Sequence, residues 1–262
     1  MSKVDPNNIT NVVVTGKSGA GKQPRIDVLI KEFDLKQLST GDIFRYYLGK
    51  FNEYGYLDDL GKFWDENTKK FIPDNKIFAE LKTDDNDILL GMKAKFFVDK
   101  GLFVLDYITN ALFESAFSKN NYKNQILDGY PRTKDQSSFL VELLEEHNSK
   151  IDFILLVDNT DERIIERTVQ RRICPVCKKV YHLKYKPPIN GYCECGAKVI
   201  QRSDDTEEKI RSRLDEFKNK TVPALEYLQS KGIPVVKVPG HLEIFTDENI
   251  KNNVMNELKK LY

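Results

Sequence analysis

Gly16-Lys-Ser-Gly19-Ala20-Gly21-Lys22 follows directly on the apolar run Asn11-Val-Val-Val-Thr15. Glycines let a backbone turn tightly and aim its N–H groups at an anion. A helix predicted to start at the last glycine adds its positive N-terminal end. Lys22 then reaches the β- and γ-phosphates of a nucleotide. Strand, glycine-rich loop and helix is the context such a phosphate loop requires. One position departs from the usual pattern. Where a Ser or Thr normally follows the lysine, this chain has Gln23 and then Pro24. Proline fits a first helical turn, but it removes one N–H from the set available to phosphate.

A second chemistry lies in the cysteines. All four fall between residues 174 and 195, as Cys174-Pro-Val-Cys177 and Cys193-Glu-Cys195. Thiolates at this spacing surround a tetrahedral Zn²⁺, and four protein ligands leave no open position, so the metal is structural. Disulfides or unligated thiols are the alternatives; clustering in a reducing compartment favours metal. His182 is read as a packing residue rather than a ligand.

These groups need a scaffold. Short apolar runs recur at Asn11–Thr15, Gln125–Leu127, Phe153–Val157 and Val235–Val238, with a shorter one at Leu35–Leu38. Runs apolar on both faces suit a parallel sheet covered by helices. Helix starts are predicted at Asn159 with Glu162 and at Asp205 with Glu208, both with capping-box spacing. Leu214, Phe217, Thr221, Leu225 and Leu228 step by three and four, the stripe of a packed helix. The fold class is therefore α/β. A formal net charge of +1 gives no sign of a bulk nucleic-acid or membrane-surface binder. The polar start of the chain and the absence of a long apolar run predict a cytoplasmic protein.

From the phosphate loop almost to the C-terminus the chain resembles the adenylate kinase family. Leu38-Ser-Thr40-Gly-Asp-Ile-Phe-Arg45 is similar to the segment that opens the monophosphate site. Leu127-Asp128-Gly129-Tyr-Pro-Arg132-Thr, with Gln136, is similar to the Asp-Gly-aromatic-Pro-Arg segment. Arg167 and Arg171-Arg172 match the entry to a mobile lid, and Arg202-Ser203-Asp204-Asp205 with Arg213 match its exit. The resemblance implies a P-loop nucleoside monophosphate kinase fold of about five parallel strands. It implies reversible transfer of the terminal phosphoryl group of ATP to AMP, with Mg²⁺. Gly16, Gly19, Ala20, Gly21, Lys22, Gln23, Arg167 and Arg171 then hold ATP. Thr40, Arg45, Val104, Gly129, Arg132, Gln136, Arg202 and Arg213 serve AMP, and Asp128 holds Mg²⁺ through water. Lys22, Arg132, Arg171, Arg202 and Arg213 close on the transferred group; guanidinium suits this because it is always charged and forks onto phosphate oxygens. The cysteines match the structural metal of the long-lid members, with a tighter second pair.

The expected organisation is a core of residues 1–40, 106–171 and 203–262, a monophosphate-binding arm at 41–105 and a zinc lid at 172–202. The arm carries an insertion at about 46–90. Nine of its residues are aromatic: Tyr46, Tyr47, Phe51, Tyr54, Tyr56, Phe63, Trp64, Phe71 and Phe78. Disordered linkers are aromatic-poor, so the insertion is expected to fold, either as a subdomain on the arm or as the contact of a homo-oligomer. Alternative functions are a related kinase using GTP or several donors, a weakly active nucleotide-binding protein, and, more remotely, a zinc-ribbon nucleic-acid module.

Overall fold

The structure is a computed structural model and describes residues 4–177, 179–202 and 205–261. A five-stranded parallel sheet organises the chain. Its strands are β1 (Asn11–Thr15), β2 (Lys36–Ser39), β5 (Gln125–Asp128), β6 (Phe153–Asp158) and β9 (Val235–Pro239), in the spatial order β2-β5-β1-β6-β9. Central β1 is buried at every position, which is why it reads as an unbroken apolar run rather than an alternating one. Its register pairs Val14 with Asp128 on one side and Thr15 with Leu156 on the other. Because all ladders are parallel, the five carboxyl ends share one edge, and the loops leaving them meet there. The expected strand at 35–38 lies one residue later: its ladder starts where the Lys36 N–H donates to the Asn124 carbonyl at 2.9 Å.

Helices cover both faces. They are α1 (Lys22–Phe33), α2 (Thr40–Tyr54), α3 (Asp74–Leu81), α4 (Asn86–Asp99), α5 (Asp106–Ser118), α6 (Lys134–Glu146), α7 (Asp161–Val169), α8 (Glu207–Glu216), α9 (Val222–Ser230) and α10 (Asp247–Leu258). One core lies under α1, α7, α8 and α10 and includes Val12, Val14, Ile26, Leu29, Ile164 and Val254. The other lies under α2, α4, α5, α6 and α9 and includes Val13, Tyr47, Phe113, Tyr130 and Leu140. No helix among the described residues is long and apolar enough to cross a membrane.

Two expected caps are corrected. Helix α7 is capped by Thr160, whose hydroxyl accepts from the Arg163 N–H, while Asn159 accepts from Thr160. Helix α8 starts after Thr206, because the Asp205 carboxylate is drawn instead to Arg171. The stripe from Leu214 to Leu228 holds, but the helix widens into a π-segment at Phe217–Thr221 before α9. Pro223 explains the widening: it lacks an N–H, and its ring clashes with the carbonyl four residues back.

The insertion folds. It comprises the outer part of α2, a 3-10 turn at Leu60–Phe63, the hairpin β3 (Trp64–Asp65) and β4 (Lys70–Phe71), α3 and the start of α4. Phe51, Phe63, Ile77, Leu81, Leu89 and Met92 form a separate small core, with Tyr56, Phe71 and Phe78 packed on it. Trp64 stacks among Phe71, Phe96 and Phe97 at 5.1–5.3 Å. Most of the aromatic residues thus face inward; of the nine, Tyr46 and Tyr54 are the exposed ones. The aromatic content therefore builds this interior.

The remaining strands, β7 (Arg171–Ile173) and β8 (Val180–His182), form an antiparallel hairpin at the cysteines. Helices α2 and α4 cross at Gly91, where a Cβ would overlap the Tyr47 carbonyl oxygen. Gly91→Ala should force the helices apart and lower stability by about 1–3 kcal/mol, read as a fall in Tm; an unchanged Tm would show that the crossing is not close-packed.

Candidate functional site

The loop after β1 is shaped by glycines that nothing larger can replace. A Cβ on Gly16 would overlap the Val157 carbonyl oxygen, and one on Gly19 would lie 2.6 Å from Thr168 Oγ1. Gly21 caps α1 at φ 101°, a left-handed conformation that glycine adopts without strain. The free N–H groups at the start of α1 therefore face the carboxyl edge of the sheet. Lys22 folds back over the loop, its Nζ donating to the Gly16 carbonyl at 3.2 Å. Burial pushes the Lys22 ammonium's pKa down, the Asp128 carboxylate opposes this, and Arg132 adds to it. Gln23 does not enter the loop. Its Nε2 donates to Asp27 and to Gln37, each at 3.0 Å, and Gln37 in turn donates to Asp128 Oδ2 at 2.9 Å.

Beside it, β5 ends at Asp128, and the chain turns at Gly129, where φ is 76°. A Cβ there would meet Thr40 Oγ1 at 2.9 Å and an Arg132 guanidinium nitrogen at 3.1 Å. Arg132 donates to the Gly129 carbonyl at 2.8 Å and to Thr40 Oγ1 at 3.2 Å, which aims its guanidinium across the end of the strand. Tyr130 anchors this turn: buried and stacked on Phe113 at 3.8 Å, its hydroxyl donates to Asn110 at 2.8 Å. Gln136 is buried, and both ends of its amide are engaged. Its Oε1 accepts from the Arg132 N–H at 2.8 Å, and its Nε2 donates to Asp106 at 2.7 Å. Asp106 also accepts from Thr133 Oγ1 at 2.7 Å. Arg45 is exposed on α2 and paired with Asp42. Val104 is half-buried just before α5.

The remaining arginines approach from the other side. Arg167 lies near Gly21, and a Cβ on that glycine would stand 3.1 Å from its guanidinium. Arg171 forks onto the fully buried Asp205 at 2.5 and 2.9 Å, which ties the start of β7 to the start of α8. Arg213 is close enough to Arg132 for the two charges to repel. Arg202 is exposed. Ser203 and Asp204, part of the same sequence segment, lie outside the described residues. The sheet edge thus gathers Lys22, Thr40, Asp128, Gly129, Arg132, Gln136, Arg167 and Arg213, while Arg45 and Arg202 are exposed to solvent.

The four cysteine sulfurs all lie within 4.8 Å of one another, with Cys174–Cys195 and Cys177–Cys193 each at 3.4 Å. A tetrahedral Zn²⁺ with bonds near 2.3 Å sets sulfur–sulfur distances of about 3.8 Å, so the cluster fits that ion. A disulfide requires about 2.05 Å, and all four are free thiols. The Cys195 backbone N–H, then the Tyr181 hydroxyl, hold the Cys193 thiol down at about 6, which favours the ligating thiolate. His182 is not in the cluster: its Nδ1 accepts from the Lys184 and Tyr185 N–H groups, and its ring packs on Tyr185.

With this geometry in hand, comparison with known proteins is decisive. Residues 79–233 match the family model described as adenylate kinase. The adenylate kinase of Caldicellulosiruptor bescii is 36% identical over 228 residues, covering 86% of this chain and 89% of the relative. That of Caldanaerobacter subterraneus subsp. tengcongensis is 35% identical over 242 residues, covering 90% and 93%. That of Clostridium perfringens is 34% identical over 223 residues, covering 84% and 87%. The chain belongs to the adenylate kinase family.

Several residues of this adenylate kinase family member are visible only in the fold. Asp106, in the first turn of α5, reads in sequence as an acid favoured by the helix dipole, yet it holds Gln136 and Thr133. Gln37 and Asp205 hold Asp128 and Arg171, and no local pattern marks either link. Arg25 had one available signal, a charged residue on the buried face of α1, four positions after Gly21.

Purified protein is expected to carry about one Zn²⁺ per chain. Its removal by a chelator should raise protease sensitivity within 173–201 before the sheet unfolds. Metal-free protein with the same protease pattern would count against the site.

Proposed function

We propose that this protein transfers the terminal phosphoryl group of ATP reversibly to AMP, giving two ADP, in the cytoplasm. The observation that carries this reading is the meeting of Lys22, Asp128 and Arg132 at the carboxyl ends of β1 and β5, beside a glycine loop and a helix N-terminus. Phosphoryl transfer needs little covalent chemistry from a protein; it needs two reactants held in line and charge stabilised on the moving group. In this reading the Gly16–Lys22 loop and the start of α1 receive the donor phosphates, with Arg167 on the donor base. Thr40, Arg45, Arg132 and the backbone near Val104 receive AMP. Lys22, Arg132, Arg171, Arg202 and Arg213 surround the group in flight.

Asp128 is the residue that would hold Mg²⁺ through water. Its Oδ2 is tethered by Gln37, which leaves the other oxygen available beside Lys22. When bound, the ion neutralises phosphate charge. The residues' own contribution is separate: Lys22 and the arginines supply fixed positive charge, and the Gln37 amide keeps the carboxylate aimed. In this reading residues 41–105 act as the monophosphate arm, and 172–202 as a zinc-stiffened lid. Closure of both excludes water, which would otherwise accept the phosphoryl group. It must bring in Arg45 and Arg202, which are exposed here, and Arg171 reaches the nucleotide while held by Asp205.

Gln136 supports AMP as the acceptor. With one N–H on Asp106 and one lone pair on the Arg132 N–H, its amide keeps one donor and one acceptor, a pair that complements an adenine edge. A second reading, a weakly active nucleotide-binding protein, is favoured by Gln23 and Pro24, which withdraw a hydroxyl and an N–H from the altered phosphate loop.

Arg132→Ala should leave the fold intact and reduce kcat/KM for AMP by about 2–4 kcal/mol, a factor of thirty to a thousand. Kinetics like those of the unaltered protein would overturn the assignment of Arg132. In a coupled assay of ADP formation, AMP should be phosphorylated well ahead of UMP and CMP; equal rates with CMP would reject Gln136 as the base reader.

A further inference from the structure

Arg25 is fully buried, and among the described residues it forms no ion pair with any Asp or Glu. Its guanidinium donates to two backbone carbonyls, Gly21 at 3.2 Å and Pro239 at 2.6 Å, and its Nε is buried without a partner. Burial, then the nearby Arg167, hold its pKa down at about 10. Both guanidiniums lie over the half-exposed Phe245 ring, at 5.4 and 5.9 Å. A Cβ on Gly21 would stand 3.5 Å from Arg25 and 3.1 Å from Arg167. Among the described residues, two cations without a carboxylate partner thus flank the last glycine of the phosphate loop.

Burying a cation without a counter-charge is costly. The two carbonyl contacts and the Phe245 ring offset part of that cost, and an anion in the adjacent site would offset more. The contacts of Arg25 point to that anion. The Gly21 carbonyl belongs to the same trans peptide as the Lys22 N–H, and the two ends of a trans peptide point in opposite directions. A charged donor on the carbonyl therefore aims and polarises the first free N–H of α1. The second contact joins the loop to the Pro239–Gly240 turn, where Gly240 packs against the Ala20 carbonyl so closely that a Cβ would overlap it. Meanwhile Gln23 and Pro24 withdraw a hydroxyl and an N–H from the helix start.

We propose that Arg25 is a positioning residue for the donor phosphates: it fixes the Gly21–Lys22 peptide and the Pro239–Gly240 turn, and supplies permanent positive charge where Gln23-Pro24 leaves the helix start short of donors. This rests on the donor half of the function proposed above. Because Arg25 acts through the phosphate loop, it discriminates by phosphate charge and has no effect on the acceptor site.

The test uses full-length protein and two substitutions, Arg25→Met and Arg25→Lys. Each is titrated calorimetrically with the magnesium complex of a non-hydrolysable ATP analogue and, separately, with AMP, after circular dichroism establishes folding. Arg25→Met should weaken the analogue about tenfold or more and leave AMP within about twofold. Arg25→Lys, which keeps the charge but not the fork, should recover part of that loss. Unchanged analogue affinity in folded Arg25→Met would overturn the proposal, as would equal losses for analogue and AMP, or Arg25→Lys no better than Arg25→Met. If Arg25→Met does not fold, Arg25→Lys decides: a loss of about threefold or less, confined to the analogue, supports the assignment, and a larger loss or one shared with AMP overturns it. Unaltered protein that binds the analogue but does not phosphorylate AMP would overturn the transfer reading and leave the Arg25 assignment standing. Protein that binds no analogue would overturn both.

Discussion

The ladder between β1 and β5 is the interaction on which the site depends. It pairs Val14 with Asp128 in parallel register, and the Gly129 N–H continues it by donating to the Val14 carbonyl. One strand therefore delivers the phosphate loop and its neighbour delivers Asp128 and Arg132 at the same height. A slip of one residue would turn Asp128 to the opposite face of the sheet and separate it from Lys22. Hydrogen bonds at both ends of the ladder, from the Asn124 N–H to Thr10 and from the Gly129 N–H to Val14, hold the observed register.

What the ladder assembles is mostly positive. Burial lowers the pKa values of Lys22, Arg25 and Arg167, and neighbouring cations lower them further. A protein held in this state stores unfavourable electrostatics at its carboxyl edge. A polyanionic ligand relieves them, and by linkage that relief appears both as binding affinity and as added stability.

The sheet was legible because its strands are apolar on both faces, so period and burial agree at Asn11–Thr15 and Phe153–Val157. The cysteine cluster was legible because ligand spacing is local. Helix starts were less so. Asp205 has the spacing of a cap, but a bidentate arginine outcompetes the helix for its carboxylate. The expected role of Gln136 was drawn from its motif, whereas the partners that orient it, Asp106 and the Arg132 N–H, come from other elements. Arg25 was missed because a buried cation without an acid contradicts ordinary burial rules. The insertion's aromatic content announced a folded segment but not the direction the rings face, since interiors and interfaces draw on the same residue types.

Helix α2 runs unbroken from Thr40, at the sheet edge, to Tyr54, and its inner turn packs on the main core while Phe51 enters the insertion's own core. Fifteen residues make a rod of about 22 Å. With its inner turns in the main core and Phe51 in the insertion's core, that rod joins the insertion directly to the sheet edge at Thr40, so the two packed interiors share one stiff element.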